Sequence, residues 1–266
     1  MVAPAGTGPG DPPQGGAVGA DEDGDPGSRR RLGWIGLAVA GVSFLCGLVF
    51  SGLLGGTYAA ARGFGREEAE GDLAFALLSA LGVWIGFLAL PLVWSQRHGG
   101  PSRRLGLSAR WIDLLLGAGV GLASTIATAL VSSLLLTRGE QESLESIATK
   151  TVDRAHGAVP VALLFVALCV VTPVAEEVFF RGLLLRSLHR TVGIVVALPL
   201  MGGIFGLLHF PTEPMPGKVL LVQLGVLSLF GMALGVLAHR TGRLGAAIAA
   251  HALFNAVTVV SLLAER

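Results

Sequence analysis

The chain has 266 residues, of which 52% are hydrophobic and only 14% charged, with a formal net charge of +1 and a mean hydropathy of +0.71. Such a balance excludes a soluble globular domain, and it carries neither the basic footprint that nucleic acid requires nor a field that would gather acidic substrates. It is the composition of an integral membrane protein, and since only helices and closed barrels span a bilayer, the expected fold is an all-α, polytopic bundle of about seven transmembrane helices. The two cysteines, Cys46 and Cys169, lie in apolar runs and read as small buried hydrophobes, not as a disulfide framework. Lysine occurs only at Lys150 and Lys218 while arginine, alanine, glycine and valine abound. That bias points to a GC-rich bacterial genome and so to the bacterial cell membrane.

Residues 1–28 are mostly Gly, Pro and Asp with almost no large apolar side chain. They bury too little surface to offset their ordering entropy, so a disordered tail is expected over residues 1–31. The apolar run that follows Arg29, Arg30 and Arg31 is too long for the h-region of a signal peptide. Seven stretches are then each about 20 residues or longer, as a helix crossing a ~30 Å hydrocarbon core requires. They are Leu32–Ala61, Leu73–Ser95, Trp111–Thr137, Ala158–Leu185, Val192–Phe210, Val219–Ala238 and Leu244–Leu263. The first three, with a polar connection over Arg138–Gly157, form an amino-terminal part at residues 32–157, and the last four occupy residues 158–263. In the connection, Glu140, Glu142 and Glu145 suit a short surface helix. Asp113, three residues into the third stretch beside Arg110, is expected at headgroup depth. With the amino terminus inside, the inner segments hold eleven basic residues against seven outside, so the expected amino terminus is cytoplasmic.

Three segments then place ionisable groups where a membrane helix does not tolerate them without reason: Glu176-Glu177-x-x-x-Arg181, Phe205-x-x-x-His209 and His251-x-x-x-Asn255. A charge at the bilayer centre costs roughly 2.5–3.5 kcal/mol on insertion scales, so such residues mark a cavity, a relay or a site. Four residues apart on a helix, Glu177 and Arg181 face one another and pair, while Glu176 is rotated by about 100°. An ion pair that only locks helices explains Glu177 with Arg181 but leaves Glu176 without a partner. His209, beside Phe210-Pro211, also suits an interfacial histidine, and His251 with Asn255 also suits interhelical hydrogen bonding. Together the six side chains favour a water-activating hydrolytic site. An ion-coupled transporter and a non-enzymatic scaffold or immunity factor are the alternatives, although no internal repeat supports the first. One difficulty is depth: measured along straight helices from the inner face, Glu176 lies ~15 Å deep and His209 ~27 Å. A tilt or break of the fifth span at Pro199 or Gly202-Gly203 is therefore expected.

In order and spacing, Glu-Glu-x-x-x-Arg, Phe-x-x-x-His and His-x-x-x-Asn, carried here from Ala158 to Leu263, resemble the CPBP intramembrane proteases, which include the type II CAAX prenyl endopeptidases. The resemblance implies a glutamate-dependent endopeptidase acting on a membrane-anchored peptide or protein within the lipid bilayer. It assigns water activation to Glu176 with His209, oxyanion stabilisation to His251 and Asn255, and support of the site to Glu177 and Arg181. The family is commonly grouped with metalloproteases, and Glu176, His209 and His251 could supply a zinc set with an open position. No His-Glu-x-x-His helix occurs, so a Glu/His water mechanism without a metal is expected and zinc is the alternative.

Overall fold

The computed structural model describes residues 25–211 and 214–265, without the side chains of 145–148 and 151. Six helices in it are long and apolar enough to cross a membrane: α1 (Pro26–Arg62), α2 (Leu73–Arg97), α3 (Trp111–Leu135), α5 (Ala158–Val192), α7 (Gly217–Thr241) and α8 (Gly245–Ala264). Between them, α4 (Arg138–Asp153) is the polar surface helix and α6 (Ile194–Leu207) is a shorter apolar one. The protein is thus an integral membrane helical bundle, with the fifth expected span falling short of a full crossing. Residues 1–24 of the expected tail lie outside the described residues, and its last part is helical, because α1 begins at Pro26.

Small residues set how closely the helices approach. A Cβ on Gly86 of α2 would collide with the backbone of Gly47 on α1, so this pair packs backbone to backbone, as lipid-embedded helices do where side-chain hydrophobicity offers no drive to associate. The main core gathers on the inner length of α5, where Ala175, Val178, Phe179, Phe180 and Leu183 are buried. Phe179 stacks on Phe87 of α2 with ring centroids 4.1 Å apart, and Phe180 meets Phe205 of α6 edge-on at 5.1 Å.

The arginine-rich segments share one end of the bundle. Arg186 donates to the Gly242 carbonyl at 2.7 Å, and the amides of Leu244 and Gly245 bond the carbonyls of Gly106 and Ser108. Asp113 belongs to this seam. It is 1% exposed, accepts from Arg243 through both carboxylate oxygens at 2.6 and 3.1 Å, and caps the Arg110 amide at 2.8 Å. Its side-chain partner Arg243 is 130 residues away in sequence. At the opposite end α4 starts with a capping box between Thr137 and Glu140, and Glu140 is tied to Lys218 of α7 at 2.9 Å. Val152 and Ala155 close that end against Leu164 and Leu262.

The helix α5 is not uniform. It passes through a π segment at Ala167–Val171, an α turn at Thr172–Glu177, a second π segment at Val178–Leu185 and a last α stretch at Arg186–Val192. Pro173 accounts for the first. The Thr172 amide bonds back to the Ala167 carbonyl, five residues earlier, and Pro173 has no N–H to give. Neither helical donor reaches the Leu168 carbonyl. Single π turns of this kind recur at functional sites.

The depth difficulty disappears with the true helix bounds. Span four runs to Val192 instead of Leu185, its polar last turns remaining helical, and α6 climbs back from Ile194 without a break at Pro199 or Gly202-Gly203. Glu176 is 16 residues before Val192 and His209 is 15 residues after Ile194. At 1.5 Å per residue both stand about 22–24 Å from the shared turn.

Candidate active site

The centre of the site is an ion pair that no water reaches. Arg181 and Glu177 are 1% and 0% exposed, and Nη1 donates to Glu177 Oε1 at 2.6 Å. Nη2 of the same guanidinium donates to the Gly231 carbonyl of α7 at 2.9 Å, and its plane lies over the Phe205 ring, 4.6 Å from the centroid. Gly231 makes that approach feasible, because a Cβ there would already press on the Phe205 ring at 3.0 Å. One arginine therefore joins α5, α6 and α7 around the site.

The Glu177 carboxylate also accepts from α8. His251 Nδ1 donates to Oε1 at 2.9 Å, which fixes the ring and leaves Nε2 as its second nitrogen. That Nε2 stands 3.8 Å from Glu176 Oε2, beyond hydrogen-bond reach. His251 is 3% exposed and is held edge-on by Phe205 and Phe230. Two residues past the end of α6, His209 gives Nδ1–H to the Phe205 carbonyl at 2.7 Å, again leaving Nε2.

The two glutamates, adjacent in sequence, have different surroundings. Glu177 is enclosed by Arg181 and His251. Glu176 is partly exposed and lines a cavity of about 350 Å³ whose wall also includes His209, His251, Asn255, Phe205 and Thr172. Its Oε2 is buried and accepts no hydrogen bond from the described residues. All the expected site residues except Glu177 and Arg181 line this one cavity, and those two buttress it from behind.

Asn255 is placed differently from a free donor. Its Nδ2 gives a hydrogen to the Leu168 carbonyl at 2.8 Å, the one that the π segment and Pro173 leave without a helical partner. The amide has a second N–H, so the residue both completes the backbone of α5 and keeps one donor. The cavity also contains Thr172, one turn before Glu176 on α5, whose oxygen accepts from Trp84 Nε1 of α2 at 3.1 Å. The sequence reading passed over Thr172, although its four-residue offset from Glu176 was a usable signal.

For zinc the donor chemistry is suitable, since His209 and His251 each give Nδ1 to an oxygen, as metal-bound histidines do. The grouping is not: among the described residues no three His, Cys, Asp or Glu side chains gather as a ligand set.

No curated protein and no solved structure matches the chain. A family model does: residues 158–257, the stretch from the start of α5 into α8 that supplies every one of these side chains except Trp84, match the type II CAAX prenyl endopeptidase Rce1-like family. By this match, the carboxyl-terminal part of the chain is similar to the Rce1-like type II CAAX prenyl endopeptidases.

Proposed function

We propose that the protein is an endopeptidase that hydrolyses a peptide bond of a membrane-associated peptide or protein with a water activated by Glu176 and His209. The observation that carries this reading is Glu176 itself: a carboxylate on a cavity wall, with an unbonded oxygen, beside two histidines whose Nδ1 atoms are already engaged. The water gives its proton to Glu176 as its oxygen adds to the scissile carbonyl carbon, and the carbonyl π pair becomes the oxyanion. The proton is then passed to the leaving nitrogen as the C–N bond breaks, with His209 orienting the water through Nε2. The oxyanion is met by His251 when its ring carries both hydrogens, Nδ1 donating to Glu177 and Nε2 to substrate, together with the second N–H of Asn255. Glu177 and Arg181 hold that geometry without touching substrate. No step requires a metal. The arginine-rich end, with the amino terminus, faces the cytoplasm by the positive-inside rule, and the bilayer is that of a bacterial cell.

The test is cleavage of membrane-anchored peptides, one of them carrying a prenylated cysteine, by purified full-length protein in liposomes. Glu176→Gln should leave the protein folded and lower the rate by about 10²–10⁴-fold. Near-full activity in that variant would remove Glu176 from the mechanism. Strong chelators should leave the wild-type rate unchanged, and stoichiometric zinc lost together with activity in His251→Ala would replace this mechanism with a metal-dependent one.

A further inference from the structure

We propose that Thr172 donates its hydroxyl hydrogen to the oxyanion formed at the scissile carbonyl, and that Trp84 positions that hydroxyl. This rests on the reading of Glu176 as the base and adds a donor from the base's own helix. The cavity wall carries Thr172 one turn before Glu176. Its oxygen accepts from Trp84 Nε1 at 3.1 Å. An indole nitrogen is a donor only, so the hydroxyl hydrogen has to go elsewhere.

Elsewhere is ordinarily the carbonyl four residues back. Thr57, Thr125, Thr191, Thr241 and Thr258 all make that bond in this protein. For Thr172 the corresponding carbonyl is Leu168, which accepts from Asn255 Nδ2 instead. Among the described residues Thr172 makes no bond to it, so its hydrogen is left for the cavity. Trp84 from one side and Asn255 from the other thus free a donor next to the attacking base. When water adds to the carbonyl carbon and its proton passes to Glu176, the electron pair released onto oxygen accepts this hydrogen. Thr172 changes no bond of its own.

The experiment measures kcat and KM for the peptide that wild type cleaves, in the full chain, with Glu176→Gln as reference. Thr172→Val keeps the side-chain shape without the hydroxyl and should lower kcat by about 10²-fold or more with KM little changed. Thr172→Ser should restore most of the rate. Trp84→Phe should lower kcat by a smaller factor and add nothing in the Thr172→Val background, as expected of a residue acting through another. Wild-type kcat in Thr172→Val, or a loss confined to KM, overturns the proposal, and does so independently of the base if Glu176→Gln is inactive. Were Thr172→Val not to fold, full kcat in Trp84→Phe would overturn the positioning role, and a Thr172→Ser rate as low as that of Glu176→Gln would mark Thr172 as structural. Full activity in Glu176→Gln, by contrast, defeats the underlying reading.

Discussion

Glu176 and Glu177 share one dipeptide and take opposite parts because the helix turns them to different neighbours. Glu177 points to a buried guanidinium and an imidazole, so its charge is balanced in place. Arg181 is correspondingly costly to lose: Arg181→Ala strands Glu177 among apolar side chains, and removal of one member of a buried pair costs about 3–5 kcal/mol. The expected outcome is a large fall in thermal stability in detergent together with loss of activity. Unchanged stability would mean that the pair contributes nothing to holding α5, α6 and α7 together. The spacing of Glu177 and Arg181 made the pairing legible in the sequence. The second partner of Glu177, His251, was not, since nothing local relates residues 74 positions apart.

At the scale of the element, the helix that carries both glutamates is interrupted where chemistry occurs. A π segment displaces one carbonyl out of the helical ladder, and Asn255 of α8 supplies the missing donor. Asn255→Ala should therefore leave the Leu168 carbonyl unpaired, which costs about 1–3 kcal/mol, in addition to any loss of rate. Amide exchange across Ala167–Val171 should accelerate in that variant, and an unchanged exchange pattern would count against the structural half of the role. Beside the cavity, α4 is held by an electrostatic link at the other extreme of exposure. The Glu140 carboxyl is pulled down to about 2 from its ordinary 4.5 by the Thr137 amide first and by Lys218 second. A depressed carboxyl stabilises the folded arrangement above its unfolded value, and that contribution is lost as pH falls from about 4.5 toward 2. Amide protection of α4 should thus be constant near neutrality and decline in that acid window. In Lys218→Ala the decline should still begin near 4.5 but should be smaller and end sooner. An identical profile in the two proteins would show that the link to α7 has no part in holding α4.

Across the whole molecule, the alternation of apolar spans places the arginine-rich connections at one end and α4 at the other, with the cavity toward the α4 end, since Val152 and Leu262 share its wall. The Asp113–Arg243 pair closes the basic end by joining the start of α3 to the turn between α7 and α8. Its two hydrogen bonds are bidentate, the geometry in which an arginine–carboxylate pair is strongest.

The sequence by itself determined the membrane bundle and six of its seven expected spans, and it singled out the six side chains of the candidate site, because hydropathy and four-residue offsets are local quantities that the solvent and the helix read directly. Residues such as Arg186, His189 and Arg190 looked like the end of a span because charge and helix boundary usually coincide there, and the helix in fact continues past them to Val192. Only the tertiary structure decided that Glu176 and His209 stand at one height, that Asp113 answers to Arg243, and that Asn255 is partly spent on the Leu168 carbonyl. Each of these depends on which backbone groups a helix leaves unpaired and on which distant element comes close enough to satisfy them, and no window of sequence contains both partners.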